Sequence, residues 1–296
     1  MTTPSVSYLV VAFHRPVALA SLLRSASGEG IEVIVVNVEA DVEVTRVTDA
    51  AGSRRVDLDS NVGYAAAVNA GVAVAQADVV VFSNDDLSAT AADIAALAAV
   101  VRLGAVGVAV PAISDREGRH ELSIAALPTV GALAREWMCL PDHPVPFLQG
   151  VVPVAKWRSP EVPTVISAAT AAFVATTREL LIAEPLPEAY FLYWEESEWF
   201  WRLARRSVTV EYRPEIVVTH VGGRDDVRPD KARLLARNAV RCVRRTQGRW
   251  RAALAVPVVI AWNLRLVLVA LVRRRYVGAR FAGLASACTS IREVWR

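Results

Sequence analysis

Along the first hundred residues, apolar runs of strand length alternate with stretches whose apolar positions recur at helical spacing. Residues 6–13 are apolar except for Ser7, the pattern of a strand buried on both faces. Residues 16–25 then place Leu19, Leu22 and Leu23 on one helical face. Residues 32–36 predict a second strand and 56–58 a third. After a turn at Asn61-Val62-Gly63, an alanine-rich helix is expected over 64–77. The strand 79–82 leads into Ser83-Asn84-Asp85-Asp86, a helix follows over 91–102, and the chain re-enters a strand over 104–110. This alternation predicts βαβ units in a mostly parallel, three-layer α/β sandwich, with the ligand site at the carboxyl ends of the strands.

Beyond residue 110 the pattern loosens. Pro111, Pro128, Pro141, Pro144, Pro146, Pro153 and Pro160 mark a loop-rich stretch. Residues 165–176 read as one or two strands and 179–182 as the start of a short helix. Two further strands are expected over 208–212 and 216–219, and a helix over 229–245.

The chain has 296 residues, 54% of them hydrophobic and 21% charged, which suits a folded protein and excludes disorder. Cys139, Cys242 and Cys288 are odd in number and widely spaced, so neither a disulfide framework nor a zinc ribbon fits, and a reducing, cytosolic setting is expected. The run after Met1 lacks the basic flank of a signal peptide. A dinucleotide-binding reading fails at the first turn, where His14-Arg15-Pro16-Val17 stands in place of Gly-x-Gly-x-x-Gly.

The net charge of +3 conceals an asymmetry. Residues 246–296 hold nine arginines and one acid, Glu293, for a net +8, leaving 24 bases and 29 acids, net −5, on the rest of the chain. Residues 252–272 are apolar except for Asn263 and Arg265, and arginines bound them on both sides. That length would cross a bilayer. A central arginine costs about 2.5–3.5 kcal/mol on insertion scales, which favours helices lying at the surface of an anionic membrane over a span. A core helix or the seam of a homodimer is the alternative use of this tail. Nucleic acid is not expected, because the bases flank an apolar run instead of aromatics spaced for stacking.

Three clusters carry chemistry. Asp85 and Asp86 close a buried strand, where their carboxylates could hold a divalent cation and a diphosphate together, although a capped loop would use the same residues. The stretch from Phe191 to Arg202 embeds Glu195, Glu196 and Glu198 among six aromatics, surroundings that raise a carboxyl pKa toward the range of a general base. Thr219-His220-Val221-Gly222-Gly223 puts a histidine at a strand end before two glycines, where it could complete a carboxylate metal site.

Taken in order, Asn61-x-Gly63-Tyr64 with Asn69 and Gly71, Phe82-Ser83-Asn84-Asp85-Asp86, Phe191-Leu192-Tyr193-Trp194-Glu195-Glu196-x-Glu198 with Arg202, and His220-x-Gly222-Gly223 resemble the inverting family 2 glycosyltransferases of the GT-A fold, especially their rhamnosyltransferase-like branch. The resemblance spans about residues 6–245 and implies three parts. Residues 1–110 would be the nucleotide-sugar half, 111–245 the acceptor and catalytic half, and 246–296 a helical, basic-apolar tail.

It also implies roles. Asp86 and His220 would hold Mg²⁺ or Mn²⁺ against the donor diphosphate, and Glu196 would be the base that deprotonates the acceptor hydroxyl. Ala12, Phe13, Arg15, Asn37, Asn61, Gly63, Asn69, Asn84 and Asp85 would line the donor end, while Trp194, Glu195 and Glu198 would contact sugar or acceptor. The donor would be a dTDP-, UDP- or GDP-linked hexose or deoxysugar such as rhamnose. The acceptor would be a glycan, lipid-linked or small-molecule hydroxyl at the inner face of the cytoplasmic membrane.

Several positions depart from the family pattern. Asn37 stands where an acid usually contacts the nucleoside, Asn84 opens the metal motif, Ala66 and Ala67 replace small glycines, and Pro185-Leu186-Pro187-Glu188 replaces a glycine-rich segment. Glu196 and Glu198 each replace an aspartate. The extra methylene moves the carboxylate by about 1.5 Å, a displacement that costs roughly 10²-fold when uncompensated. A non-catalytic relative that binds nucleotide sugar or glycan as a partner subunit is therefore the alternative. Asp86, Glu196 and His220 together favour the enzyme.

Overall fold

The computed structural model describes residues 4–121, 123–137, 160–222 and 227–295. Cys139, Gly223 and the prolines between 141 and 153 lie outside them. The elements in chain order are β1 Val6–Ala12, α1 Pro16–Ala26, β2 Ile31–Val38, α2 Val42–Ala50, β3 Arg54–Leu58, α3 Tyr64–Val74, β4 Val79–Asn84, β5 Leu87–Ser88, α4 Ala91–Arg102 and β6 Val108–Ser114. Next come β7 His120–Glu121, β8 Ile124–Ala125, α5 Val130–Trp137, β9 Thr164–Ile166, β10 Ala168–Ala169, β11 Phe173–Thr177, α6 Arg178–Ala183 and α7 Glu195–Arg205. The chain closes with β12 Val210–His220, α8 Pro229–Gln247, α9 Arg249–Arg273, α10 Val277–Thr289 and α11 Ile291–Trp295.

One large mixed sheet runs β3-β2-β1-β4-β11-β6-β12-β5. Strands β3, β2, β1 and β4 are parallel, so the ends of β1 and β4 open at one edge. β11 lies antiparallel between β4 and β6, and β6 is parallel to β12. The alternation of side chains along β1 serves two cores. Leu9 and Val11 face one cluster with α3 and α7, while Tyr8, Val10 and Ala12 face another with α1 and α4. The predicted three-layer α/β sandwich is the observed architecture.

Local signals set the boundaries. Pro16 opens α1 at a position that needs no N–H, and Thr90 with Asp93 forms a capping box on α4. Asp41 caps the N-terminus of α2, a helix the apolar pattern does not announce because its nine residues bury only Val44 and Thr48. The two strands expected over 208–212 and 216–219 are one strand, β12, with a register shift between Arg213 and Val217 that lets it bend without ending.

A third core joins the C-terminal helices to the body. It packs Val240, Cys242 and Val243 of α8 against Ala252, Ala255, Val256 and Val259 of α9, and it includes Tyr190 and Trp194 from the stretch before α7. The helical layer therefore begins with α8.

Candidate active site

The strand topology brings together residues that are far apart in sequence. β5, immediately after Asp85 and Asp86, pairs antiparallel with the end of β12, placing His220 opposite Leu87. His220 Nε2 lies 3.3 Å from Asp86 Oδ2, and Nδ1 lies 3.0 Å from Glu121 Oε2 on β7. With Nδ1 engaged by Glu121, the ring presents Nε2 to Asp86. Arg15 also pairs with Asp86 Oδ2, whereas the buried Oδ1 has no hydrogen-bond partner among the described residues.

This pairing sets the charges. Hydrogen bonds to Asp86 and Glu121 push His220 up to about 9. Burial works to raise Asp86, but His220 and Arg15 outweigh it and hold the carboxyl below its usual range. Asp85, accepting a 2.9 Å hydrogen bond from the Phe13 N–H, is pushed up to about 7, mainly by burial and further by the charge of Asp86. Gly222 closes the cluster. A Cβ there would sit 2.6 Å from Asp86 Oδ2 and 3.0 Å from His220 Nε2. An open groove of about 540 Å³, lined by Arg15, Leu87, Ser88, Arg116 and Val221, borders this cluster.

The second acid cluster heads α7. Tyr193 and Trp194 both take left-handed backbone conformations (φ 68° and 78°), a strained turn that starts the helix with Glu195 and Glu196 in its first residues. Burial and the neighbouring Glu196 push Glu195 well above the carboxylate range, and its Oε2 is buried without a hydrogen-bond partner among the described residues. Burial also pushes Glu196 up to about 7, although its own N–H and that of Trp194 pull it down. Both clusters lie within electrostatic reach of one buried side chain. Tyr64, whose hydroxyl donates to the Ala171 carbonyl, is pushed up by burial and then by the charges of Glu195, Glu196 and Asp86 together.

Several expected site residues have other work. Asn37 is wholly buried, its amide spent on Asp41, Thr45 and Asp57, so it ties the β2–α2 turn to β3 and offers nothing to a nucleoside. Asn69 bonds the backbone of Leu186 in both directions and Glu188 Oε1, fastening α3 to the Pro185–Glu188 segment, away from the donor end. Trp194 is 2% exposed and donates to the Leu235 carbonyl under α8, which removes it as a sugar platform. Glu198 accepts 2.6 and 3.0 Å hydrogen bonds from Arg245 and a 2.7 Å one from the Tyr190 hydroxyl, so it clamps α7 to α8 and does not face the acceptor.

The remaining expected residues frame the cleft. Asn61 Oδ1 accepts from the Gly63 N–H, and Gly63 (φ 89°) lies under Phe191, whose carbonyl oxygen would be 2.1 Å from any Cβ. Ala12 is wholly buried, leaving only its backbone for contact, while Phe13 and Arg15 are exposed beyond it. Asn84, half-buried, donates its N–H to Ala172. Glu121 is the residue the sequence does not announce, because its link to His220 crosses 99 positions.

Residues 7–139 match the family model of Glycosyl transferase family 2. Solved structures with the same architecture include the mannosyltransferase PcManGT from Pyrobaculum calidifontis in complex with GDP-Man and Mn²⁺. It is 14% identical, with 98% of this chain and 87% of that chain covered at a TM-score of 0.55. Glucosyl-3-phosphoglycerate synthase from Mycobacterium tuberculosis, in complex with Mn²⁺, UDP and glucosyl-3-phosphoglycerate, is 16% identical over 83% of this chain and 80% of that one, TM-score 0.57. The same synthase with Mg²⁺ and UDP gives 17% identity, the same coverage and a TM-score of 0.54. No curated protein matches the sequence significantly. The mixed sheet with its flanking helices is thus the GT-A fold of those glycosyltransferases, with Asp86 inside the matched residues 7–139 and its partner His220 beyond them.

Proposed function

We propose that this chain is an inverting glycosyltransferase that moves a hexose or deoxyhexose, rhamnose among them, from a nucleotide-diphosphate donor to a hydroxyl of a glycan, lipid-linked or small-molecule acceptor. The observation that carries the reading is the Asp86–His220 pair, 3.3 Å apart where β5 meets the end of β12, with Asp86 Oδ1 buried and without a hydrogen-bond partner among the described residues. This cluster suits a diphosphate, and the one at the head of α7 suits a proton acceptor.

A divalent cation, Mg²⁺ or Mn²⁺, fits the first cluster. Asp86 Oδ1 is a buried oxygen without a hydrogen-bond partner among the described residues, and His220 Nε2 beside the same carboxylate would join it once binding displaces the proton that Asp86 and Glu121 hold on the ring. Among the described residues no group of three or more acid, histidine or cysteine ligands converges, so the donor diphosphate would supply the remaining oxygens. When bound, such an ion offsets the charge that develops on the leaving diphosphate.

The residues of the chain do the rest. Arg15, at the end of β1, is placed to follow the diphosphate charge. Glu196, with its carboxyl raised to about 7, is ionised in a useful fraction at neutral pH and basic enough to accept a proton. It takes that proton as the acceptor oxygen bonds to the anomeric carbon. The bond from that carbon to the diphosphate oxygen breaks with its electron pair leaving on the diphosphate, and attack from the opposite face inverts the centre. Glu195, its carboxyl pushed well up by burial and by the neighbouring Glu196, lies next to the base at the head of α7.

Thermal melting of the purified chain with UDP, GDP and dTDP, each with Mn²⁺, Mg²⁺ or chelator, tests the donor half. A ligand at 100 times its Kd adds about 2.7 kcal/mol of stability. A metal-dependent shift with one nucleotide supports the reading and names the base. No shift with any of them overturns it in favour of a non-catalytic relative.

A further inference from the structure

The outer face of α9 carries an apolar stripe that no described residue covers. Trp250, Leu254, Leu264, Leu268, Leu271 and Val272 are all exposed, Leu254 by 64% and Val272 by 84%, while the opposite face packs on the third core. At 100° per residue they all fall within about 100° of arc and so line one side of a rod about 37 Å long. Trp295 meets Trp250 edge-on at 6.4 Å and extends the apolar surface onto α11.

Charge marks both ends. Arg249 and Arg251 stand at the start of α9 and Arg273, Arg274 and Arg275 at its end, all exposed. The first pair sits at the positive pole of the helix with no acid in that turn, a placement helix electrostatics disfavours. At each end an arginine lies over an aromatic ring, Arg249 over Trp250 at 5.4 Å and Arg275 over Tyr276 at 5.1 Å, the pairing of residues that settle at a lipid headgroup boundary.

We propose that α9 lies flat on an anionic lipid surface, its leucine stripe among the acyl chains and its terminal arginines among the headgroups. A second copy of the chain is the weaker occupant. Both ends of the stripe are basic, so antiparallel or parallel self-pairing sets arginine against arginine. The one acid after residue 246, Glu293, is buried and bound to Arg241 at 2.9 Å, so a tail-to-tail pairing finds no exposed acid within the tail to answer them. A span across the bilayer is also disfavoured, because Ala252, Ala255, Val259, Trp262 and Leu266 would have to leave the core they share with α8. The surface is independent of the transfer chemistry.

Vesicle sedimentation of the full chain decides it. Wild type is expected to pellet with vesicles of phosphatidylglycerol in phosphatidylcholine, to stay in solution with phosphatidylcholine alone, and to be released by high salt or alkaline carbonate. The exposed double substitution Leu264→Glu/Leu268→Glu should abolish pelleting with its melting temperature unchanged. Arg273→Gln, Arg274→Gln and Arg275→Gln, which leave the apolar stripe intact, should each weaken binding about fivefold at low salt. Pelleting by the double variant, indifference to lipid charge, or resistance to carbonate would each overturn the proposal. So would a wild-type dimer in analytical ultracentrifugation that the double variant dissociates while vesicles bind neither.

Discussion

A carboxyl group whose proton affinity is raised by burial is a better base than one in water, and it destabilises the fold wherever it is ionised. Both effects should be measurable at Glu196. Glu196→Gln should reduce kcat by roughly 10²–10⁴-fold while leaving the nucleotide-induced melting shift intact. In wild type, kcat/KM should rise with a single ionisation near pH 7 and level off above it. Stability runs the other way. The folded pKa lies above the unfolded value, so the folded chain binds more protons between about 4.5 and 7, and stability falls as pH rises through that window. The glutamine variant escapes this loss, about 1.4 kcal/mol for each pH unit between the two pKa values, and should melt above wild type at pH 8. A flat pH profile with unchanged turnover would remove Glu196 from the role of base. At the other cluster, Gly222→Ala crowds Asp86 Oδ2 and His220 Nε2 with a new methyl group. The expected result is a largely intact melting curve without ligand and a lost metal-dependent nucleotide shift, read by titrating Mn²⁺ at fixed nucleotide.

The elements that hold Glu196 make a second, separable claim. Helix α7 begins from the left-handed pair Tyr193 and Trp194, and α8 fixes that turn from behind. Asn238 Nδ2 donates to the carbonyls of Leu192 and Tyr193, Trp194 Nε1 donates to Leu235, and Arg245 forks onto Glu198. Glu198→Ala and Arg245→Ala should each cost roughly 3 kcal/mol, the low end for breaking a buried pair because Arg245 is half exposed. The double substitution should cost less than the sum, as a thermodynamic cycle by urea unfolding would show. A change in acceptor KM without loss of stability would instead return Glu198 to the acceptor site. This clamp was only half legible in the sequence. The acids, their order and the strand–helix alternation were readable because apolar periodicity and the turn at Asn61-Val62-Gly63 are local signals. The partners were not, since Glu198 with Arg245 and His220 with Glu121 meet only through topology. The carbonyl partners of Asn37, Asn69 and Trp194 are hidden for the same reason, because an amide or an indole looks alike in a sequence whether it faces a ligand or a carbonyl. Helix α2 had its signal in Asp41 and Glu43, and lacked only the apolar stripe that usually accompanies it.

At the scale of the molecule, composition and packing divide the chain at different places. Charge changes sign near residue 246, which suggests a detachable tail, yet α8 presents Ala239, Val240 and Val243 to α9, and Arg241 and Arg244 reach Glu293 and the Val294 carbonyl on α11. Removing everything after Gln247 would expose that face and uncover Trp194 at the root of α7. Each large apolar side chain returned to water costs about 1.5–3 kcal/mol, against a total stability on the order of 5–15 kcal/mol. The shortened chain should therefore melt well below the full chain or aggregate, and should lose turnover even though Asp86, His220 and Glu196 remain. Expression of residues 1–247 followed by thermal melting and size-exclusion chromatography checks this, and a soluble product with wild-type melting would show the tail to be independent. The same packing explains why a lipid surface is offered only the outer stripe of α9. Its inner face is committed to the layer that packs behind α7, so on the proposed reading docking and catalysis would use opposite sides of one helical layer.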